Sequence, residues 1–212
     1  MKTQTTLLLA LLLLLPVIQG CALVMYPLAR AFGSPSEGEL KQCRVAFERL
    51  KAGRFTARIV AYPAADPVGM RTNAYSGTAL RLAEGLRSKG WTNCTKAPAV
   101  PLVKPRPLGH NQLRYAWKRA HTLSQWVKTA RPEGDFHLFV EILSSGSGDI
   151  IGIQGYVLDA SGHVAYERLM NSHHFGKNPP RDPEAACQLI LRIFLNSLDQ
   201  PAERIFPPYG VG

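Results

Sequence analysis

Apolar positions recur along the chain with two spacings, and the switches between them predict most of its elements. Leu40, Cys43, Phe47 and Leu50 share one stripe, so residues 40–51 read as an amphipathic helix ended by Gly53. Phe55, Ala57, Ile59 and Ala61 alternate with their neighbours and predict a strand over 55–62, closed by Pro63, with 63–72 as a loop. Tyr75, Ala79, Leu82, Ala83 and Leu86 return to helical spacing, and Gly90 stands at the stop position of a helix over 75–89. A second strand is expected at 91–95. The four prolines at 98, 101, 105 and 107 then imply an extended, irregular stretch.

The clearest helix covers 111–130. Leu113, Ala116, Ala120, Leu123, Val127 and Ala130 form its apolar face, flanked by Trp117 and Trp126, with Arg114, Lys118, His121, Gln125 and Lys128 opposite. Strands follow at 136–143, 150–158 and 164–170, joined by Ser/Gly-rich residues 144–148 and by Asp159-Ala160-Ser161-Gly162. Asp182 then caps a final helix with Pro183 in its first turn, buried through Ala186, Leu189, Ile190, Ile193 and Phe194. The last three strands must be antiparallel, because their connections are too short for crossovers. The expected class is α+β: a single mixed, mainly antiparallel sheet with helices packed on it, and a C-terminal three-strand meander followed by a helix.

The first 20 residues follow a different rule. Lys2 precedes an unbroken Leu/Ala run from Leu7 to Leu15, and Pro16 leads into Val17-Ile18-Gln19-Gly20-Cys21. A charged start, a short apolar core and a small residue before the cut make a secretory signal. Its end resembles the lipobox of bacterial lipoproteins, with Ile18 at −3, Gly20 at −1 and Cys21 as acceptor; Gln19 at −2 departs from the typical pattern. That resemblance implies cleavage before Cys21, a diacylglycerol and an N-acyl chain (a palmitate-type anchor) on its thiol and amine, and, with Ala22 in place of Asp at +2, outer-membrane sorting toward the periplasm. Two or three chains hold stably where one holds marginally, since each buried methylene contributes about 0.8 kcal/mol. Two alternatives stay open. Apolar character resumes at 22–26, so residues 7–29 just reach the length of an uncleaved anchor, about 20 residues, with Pro16 and Gln19 against it, and Ala29-Arg30-Ala31 reads as an ordinary signal-peptidase site, though far from the leucine core.

The expected organisation is therefore a signal peptide over 1–20, a tether over 21–38, one domain over 39–200 and a Pro/Gly-rich tail over 201–212. The element order, with Gly134-Asp135-Phe136 opening a strand and Asp159-Ala160-Ser161-Gly162-His163-Val164 a hairpin, resembles periplasmic α/β lipoprotein domains: the TolB N-terminal domain, the curli secretion lipoprotein and the outer-membrane activators of penicillin-binding proteins. The likeness spans residues 54–199 and is architectural. It implies a non-enzymatic protein that docks onto envelope machinery, and it transfers no functional residue.

Charge narrows the partners. The formal net charge is +10. No acidic residue lies between Glu84 and Glu133, where Arg87, Lys89, Lys96, Lys104, Arg106, Arg114, Lys118, Arg119, Lys128 and Arg131 fall. Such a run predicts one positive surface, with Arg114, Lys118 and Lys128 on helix 111–130 as its ordered part. In an envelope its partners are the membrane itself, anionic lipid or an acidic envelope protein. No nucleic-acid motif accompanies it, so nucleic acid is not expected. Cys43, Cys94 and Cys187 admit one disulfide in an oxidising compartment, in any of three pairings, or buried thiols.

Catalytic chemistry finds little footing. His137 and Glu141 point to one face of a strand and, with His173 or His174, are the residues a metal-dependent envelope enzyme would use. No H-E-x-x-H or C-x-x-C spacing supports them, and on a solvent-facing sheet they would be partly exposed polar residues. Ser144 to Gly148 lacks a nucleophile elbow, and no phosphate-binding Gly motif exists. No cofactor is expected.

Overall fold

A computed structural model describes residues 35–66, 71–99, 101, 112–145, 147–175 and 179–207, with the backbone alone at 71–74, 112–115, 172 and 173. The leader, Cys21, most of the proline-rich stretch and residues 208–212 lie outside the described residues. Helix α1 (Glu37–Ala52) starts three residues earlier than the hydrophobic stripe predicts. Ser36 accepts from the Glu39 amide while the Glu39 carboxylate accepts from the Ser36 amide, a capping box that satisfies two otherwise orphaned donors.

Strand β1 (Ile59–Ala61) is shorter than the expected 55–62. The amides of Thr56 and Ala57 both bond the Gly53 carbonyl, so residues 53–56 close α1 as a turn, and Phe55 is left 68% exposed. The expected loop over 63–72 is instead a hairpin, β2 (Ala64–Asp66) and β3 (Arg71–Tyr75). Ile59 lies opposite Phe136 and Ala65 opposite Glu141, so β1 and β2 form one strand carrying an extra residue at the Tyr62-Pro63 interruption. Pro63 cannot donate to the ladder, and the chain resumes when the Ala64 amide bonds Thr78 Oγ1.

The rest follows the predicted order: α2 (Thr78–Arg87), β4 (Cys94–Lys96), α3 (Gln112–Ala130), β5 (Phe136–Ser144), β6 (Ile150–Asp159) and β7 (Val164–Asn171), then an unexpected single turn α4 (Ser172–Phe175) before the expected α5 (Pro183–Ser197). Asp182 caps α5 by accepting from the Ala185 amide, with Pro183 in the first turn. The seven described strands make one mixed sheet. The split strand β1–β2 lies beside β5, with β4 on its far side at one end and β3 at the other. The long antiparallel ladders β5–β6 and β6–β7 complete it, so the α+β class with a closing meander and helix holds.

Topology decides which helix covers which face. β4 and β5 flank β1 on opposite sides and all three run parallel. The crossovers through α2 and α3 therefore travel in opposite directions, and right-handed connections place the two helices on opposite faces. One core contains Leu82 and Leu86 of α2, Ile190 and Phe194 of α5, and Leu138, Val140 and Ile142 of β5. The other contains Ala120, Leu123 and Val127 of α3, Leu40, Cys43 and Phe47 of α1, and Phe139 and Tyr156 of the sheet. Tyr156 and Tyr166 thus belong to different faces, each buried, rather than forming a cross-strand pair. Gly155 permits the approach of α5: a Cβ there would stand 2.6 Å from Ile190 Cγ1.

The packed body continues beyond residue 200. A last turn, α6 (Ala202–Ile205), leads to Phe206, which meets Phe47 edge-on at 6.5 Å while its carbonyl accepts from Arg44 Nε at 2.9 Å. All three described cysteines are buried free thiols, the second of the two alternatives their spacing left open. Among the described residues, no helix is long and apolar enough to cross a membrane.

Candidate functional site

The predicted basic surface divides. Because α2 and α3 cover opposite faces, Arg87 at the end of α2 and Lys128 on α3 belong to different sides of the sheet, and Arg119 faces inward. Lys118 is half-buried and Lys128 exposed on α3; the Arg114 side chain lies outside the described residues. Lys128 helps line a narrow groove with Glu39, Gln42, Cys43, Trp117, His121 and His163. Linear clustering of charge failed as a guide to surface clustering because the crossovers reverse direction within that run.

His137 and Glu141 do share one face of β5, as their spacing requires, but that face is a core under α3 rather than solvent. Arg119 Nε donates to Glu141 Oε1 at 2.5 Å, with the two side chains 4% and 3% exposed. Burial holds the Glu141 carboxyl above its ordinary value, with the Arg119 guanidinium opposing that shift only in part. Across the ladder, Gln154 stands opposite Glu141, and Tyr156 O–H donates to Gln154 Oε1. His137 Nδ1 lies 3.3 Å from Tyr62 Oη, its ring in contact with Tyr62 and Phe139. Burial lowers His137 to about 4, so its imidazole is neutral at pH 7. Tyr62, Phe139 and the half-buried Trp126 pack as one aromatic cluster, which gives that tryptophan the core-flanking place expected of it.

The remaining histidines do not join this row. His174 Nδ1 is held by Asn171 beyond the end of β7, and the His173 side chain lies outside the described residues. Among the described residues, no three metal-ligating side chains converge. His137 Nδ1 and Glu141 Oε1 have separate partners, a tyrosine and an arginine, in the core under α3.

A carboxylate with more partners went unnoticed in the sequence. Asp159 ends β6 and is buried, with Oδ1 accepting from the amides of Ser161 and His163, both at 2.9 Å. Its Oδ2 meets Arg49 of α1 and lies 3.3 Å from His163 Nδ1. An open cavity of about 340 Å³ sits beside it, lined by Arg49, Thr56, Asp135, Phe136, Asp159 and Ser161. Asp135 is also spent on structure: its Oδ2 accepts from the Arg58 amide at 2.8 Å. The sequence signal was available, since an Asp two residues before a Ser at a tight turn is positioned to bind its own backbone. The cavity therefore has one paired cation and two engaged carboxylates, and no nucleophile–base pair.

No protein-family model matches the chain, and no curated protein does. Among solved structures, it is similar to two PelC dodecamers from Paraburkholderia phytofirmans, one of them a point variant. The variant is 14% identical with a TM-score of 0.33, over 66% of this chain and 87% of that chain. The other is 16% identical with a TM-score of 0.35, over 66% of this chain and 86% of that chain.

Proposed function

We propose that this chain is a bacterial envelope lipoprotein, lipid-anchored through Cys21, whose α+β body acts by non-catalytic binding or assembly at the membrane. The observation that carries this reading is Ile18-Gln19-Gly20-Cys21 directly after the Leu7–Leu15 run. The body supports it from another direction. Two of its buried carboxylates hold the fold together: Glu141 is paired with Arg119, and Asp159 with Arg49 and two backbone amides. The outer membrane, facing the periplasm, is the location that Ala22 favours.

Intact-mass measurement of the protein purified from membranes is the test. The expected mass is that of a chain starting at Cys21 plus a diacylglycerol and an acyl chain, with the addition lost in Cys21→Ser. An unmodified chain that retains its leader would sink the reading. For the metal-dependent alternative, elemental analysis of the same sample decides: stoichiometric zinc that disappears in His137→Ala would favour an enzyme, against the engaged side chains described above. A partner that binds through α3 should be lost on reversing Lys118 and Lys128 together, and on raising salt.

A further inference from the structure

β1, β4 and β5 are parallel, so the turns that precede them gather at one end of the sheet. Phe55 protrudes there, 68% exposed, in the turn after α1. Its posture is held rather than left loose. The Arg54 guanidinium lies 5.7 Å over its ring while Arg54 Nε donates to the Lys89 carbonyl at 3.0 Å. Thr92 Oγ1 donates to the Phe55 carbonyl at 3.2 Å. Gly90, at φ +93°, admits both side chains; a Cβ there would stand 3.4 Å from Arg54 Nε and from Phe55 Cε1.

Cations share this end of the sheet. Arg54, Lys89 and Arg131 are exposed in the same three turns, and Arg87 is exposed one turn away. Among the described residues, none of these four has a carboxylate at ion-pair distance, whereas the nearby Arg58 is paired with Glu133 at 3.0 Å. A lone exposed apolar side chain is ordinary. An exposed phenylalanine fixed under an arginine, at the same end of the sheet as cations without a carboxylate partner among the described residues, has the two components of interfacial membrane binding, apolar insertion and attraction to anionic lipid.

We propose that this end of the sheet is a membrane-contacting surface, with Phe55 entering the headgroup–acyl boundary of an anionic bilayer and Arg54, Lys89 and Arg131 meeting lipid phosphates. The proposal rests on the lipoprotein reading, because the anchor holds the body beside a bilayer that this end of the sheet can meet. It is separable from the anchor, whose attraction to uncharged and anionic lipid is alike.

The test is co-sedimentation of the full chain, as wild type and as Cys21→Ser, with phosphatidylcholine vesicles with and without phosphatidylglycerol. The proposal predicts a salt-reduced gain in partitioning on adding phosphatidylglycerol, read in Cys21→Ser and its variants, since the acylated wild type is held on either lipid by its chains. Lys89→Ala and Arg131→Ala should each cut that gain about fivefold, and Phe55→Ser on the order of tenfold, while the exposed Leu80→Ser on α2 leaves it unchanged. An equal gain in all variants overturns the proposal. So does a gain lost with the charges but indifferent to Phe55→Ser, which would indicate contact with an acidic macromolecule without insertion. Failure of the anchor alone reads differently: an unmodified Cys21 by mass, with the phosphatidylglycerol gain intact.

Discussion

Arg119 of α3 and Glu141 of β5 form an ion pair 2.5 Å apart that is sealed between helix and sheet. Two opposite charges in a core cost more to desolvate than they return unless their geometry is good, and removing one strands the other. Arg119→Met is expected to destabilise the fold by roughly 3–5 kcal/mol. Arg119→Met combined with Glu141→Leu should recover most of that loss, because no buried charge remains. Urea unfolding of the two variants checks this; equal losses in both would show that the pair contributes through packing alone.

His137 sets a pH dependence. Folding lowers it to about 4 through burial, while an unfolded imidazole titrates near 6.5. Between these values the unfolded chain binds a proton that the folded chain refuses. Stability is therefore full above pH 6.5 and falls as pH drops toward 4, by about 3 kcal/mol from this residue. In His137→Phe the decline between pH 6.5 and 5 should flatten, as read from thermal unfolding across that range.

The cysteines should be inert in the native state. Burial pushes Cys43 and Cys187 up to about 12 and Cys94 to about 11. Thiolate is the reactive form, so a thiol-specific disulfide reagent at pH 8 is expected to react slowly with the folded body. All three thiols should react promptly in denaturant. Rapid native labelling of one of them would show that its surroundings open.

Gly162 ends the hairpin at φ +78°, and a Cβ there would meet the Ser124 carbonyl oxygen at 2.8 Å and Lys128 side-chain carbons at 3.0 Å. Gly162→Ala combines backbone strain with displacement of α3, and about 1–3 kcal/mol of destabilisation is expected. The urea midpoint checks the magnitude. Gly148→Ala provides the comparison, since it shares a positive φ of 90° but has open space around it.

Much of the fold could be read locally, because local chemistry fixes it. Asp182 and Pro183 mark the start of α5, and the tight turn at Asp159 to Gly162 closes the last hairpin, because capping and turn geometry need only a few adjacent residues. The inward place of Arg119 was also written in the spacing, three residues after Ala116 and four before Leu123, both buried. Its charge concealed it. The apolar run around His137 and Glu141 carried a similar signal, since Phe139 between them argues for a strand buried on both faces.

By itself the sequence determined the element order apart from the β2–β3 hairpin and the short turns α4 and α6, the α+β class, the closing meander and helix, and the lipobox-like leader as an expectation. Each depends on period, cap, turn or motif, which are properties of neighbouring residues. Tertiary structure alone decided that the basic run splits between two faces, that His137 meets Tyr62 and Glu141 meets Arg119, and that Phe55 stands out at one end of the sheet that also carries cations. Those facts depend on crossover direction and strand register, which bring residues far apart in sequence into contact and send neighbours to opposite sides.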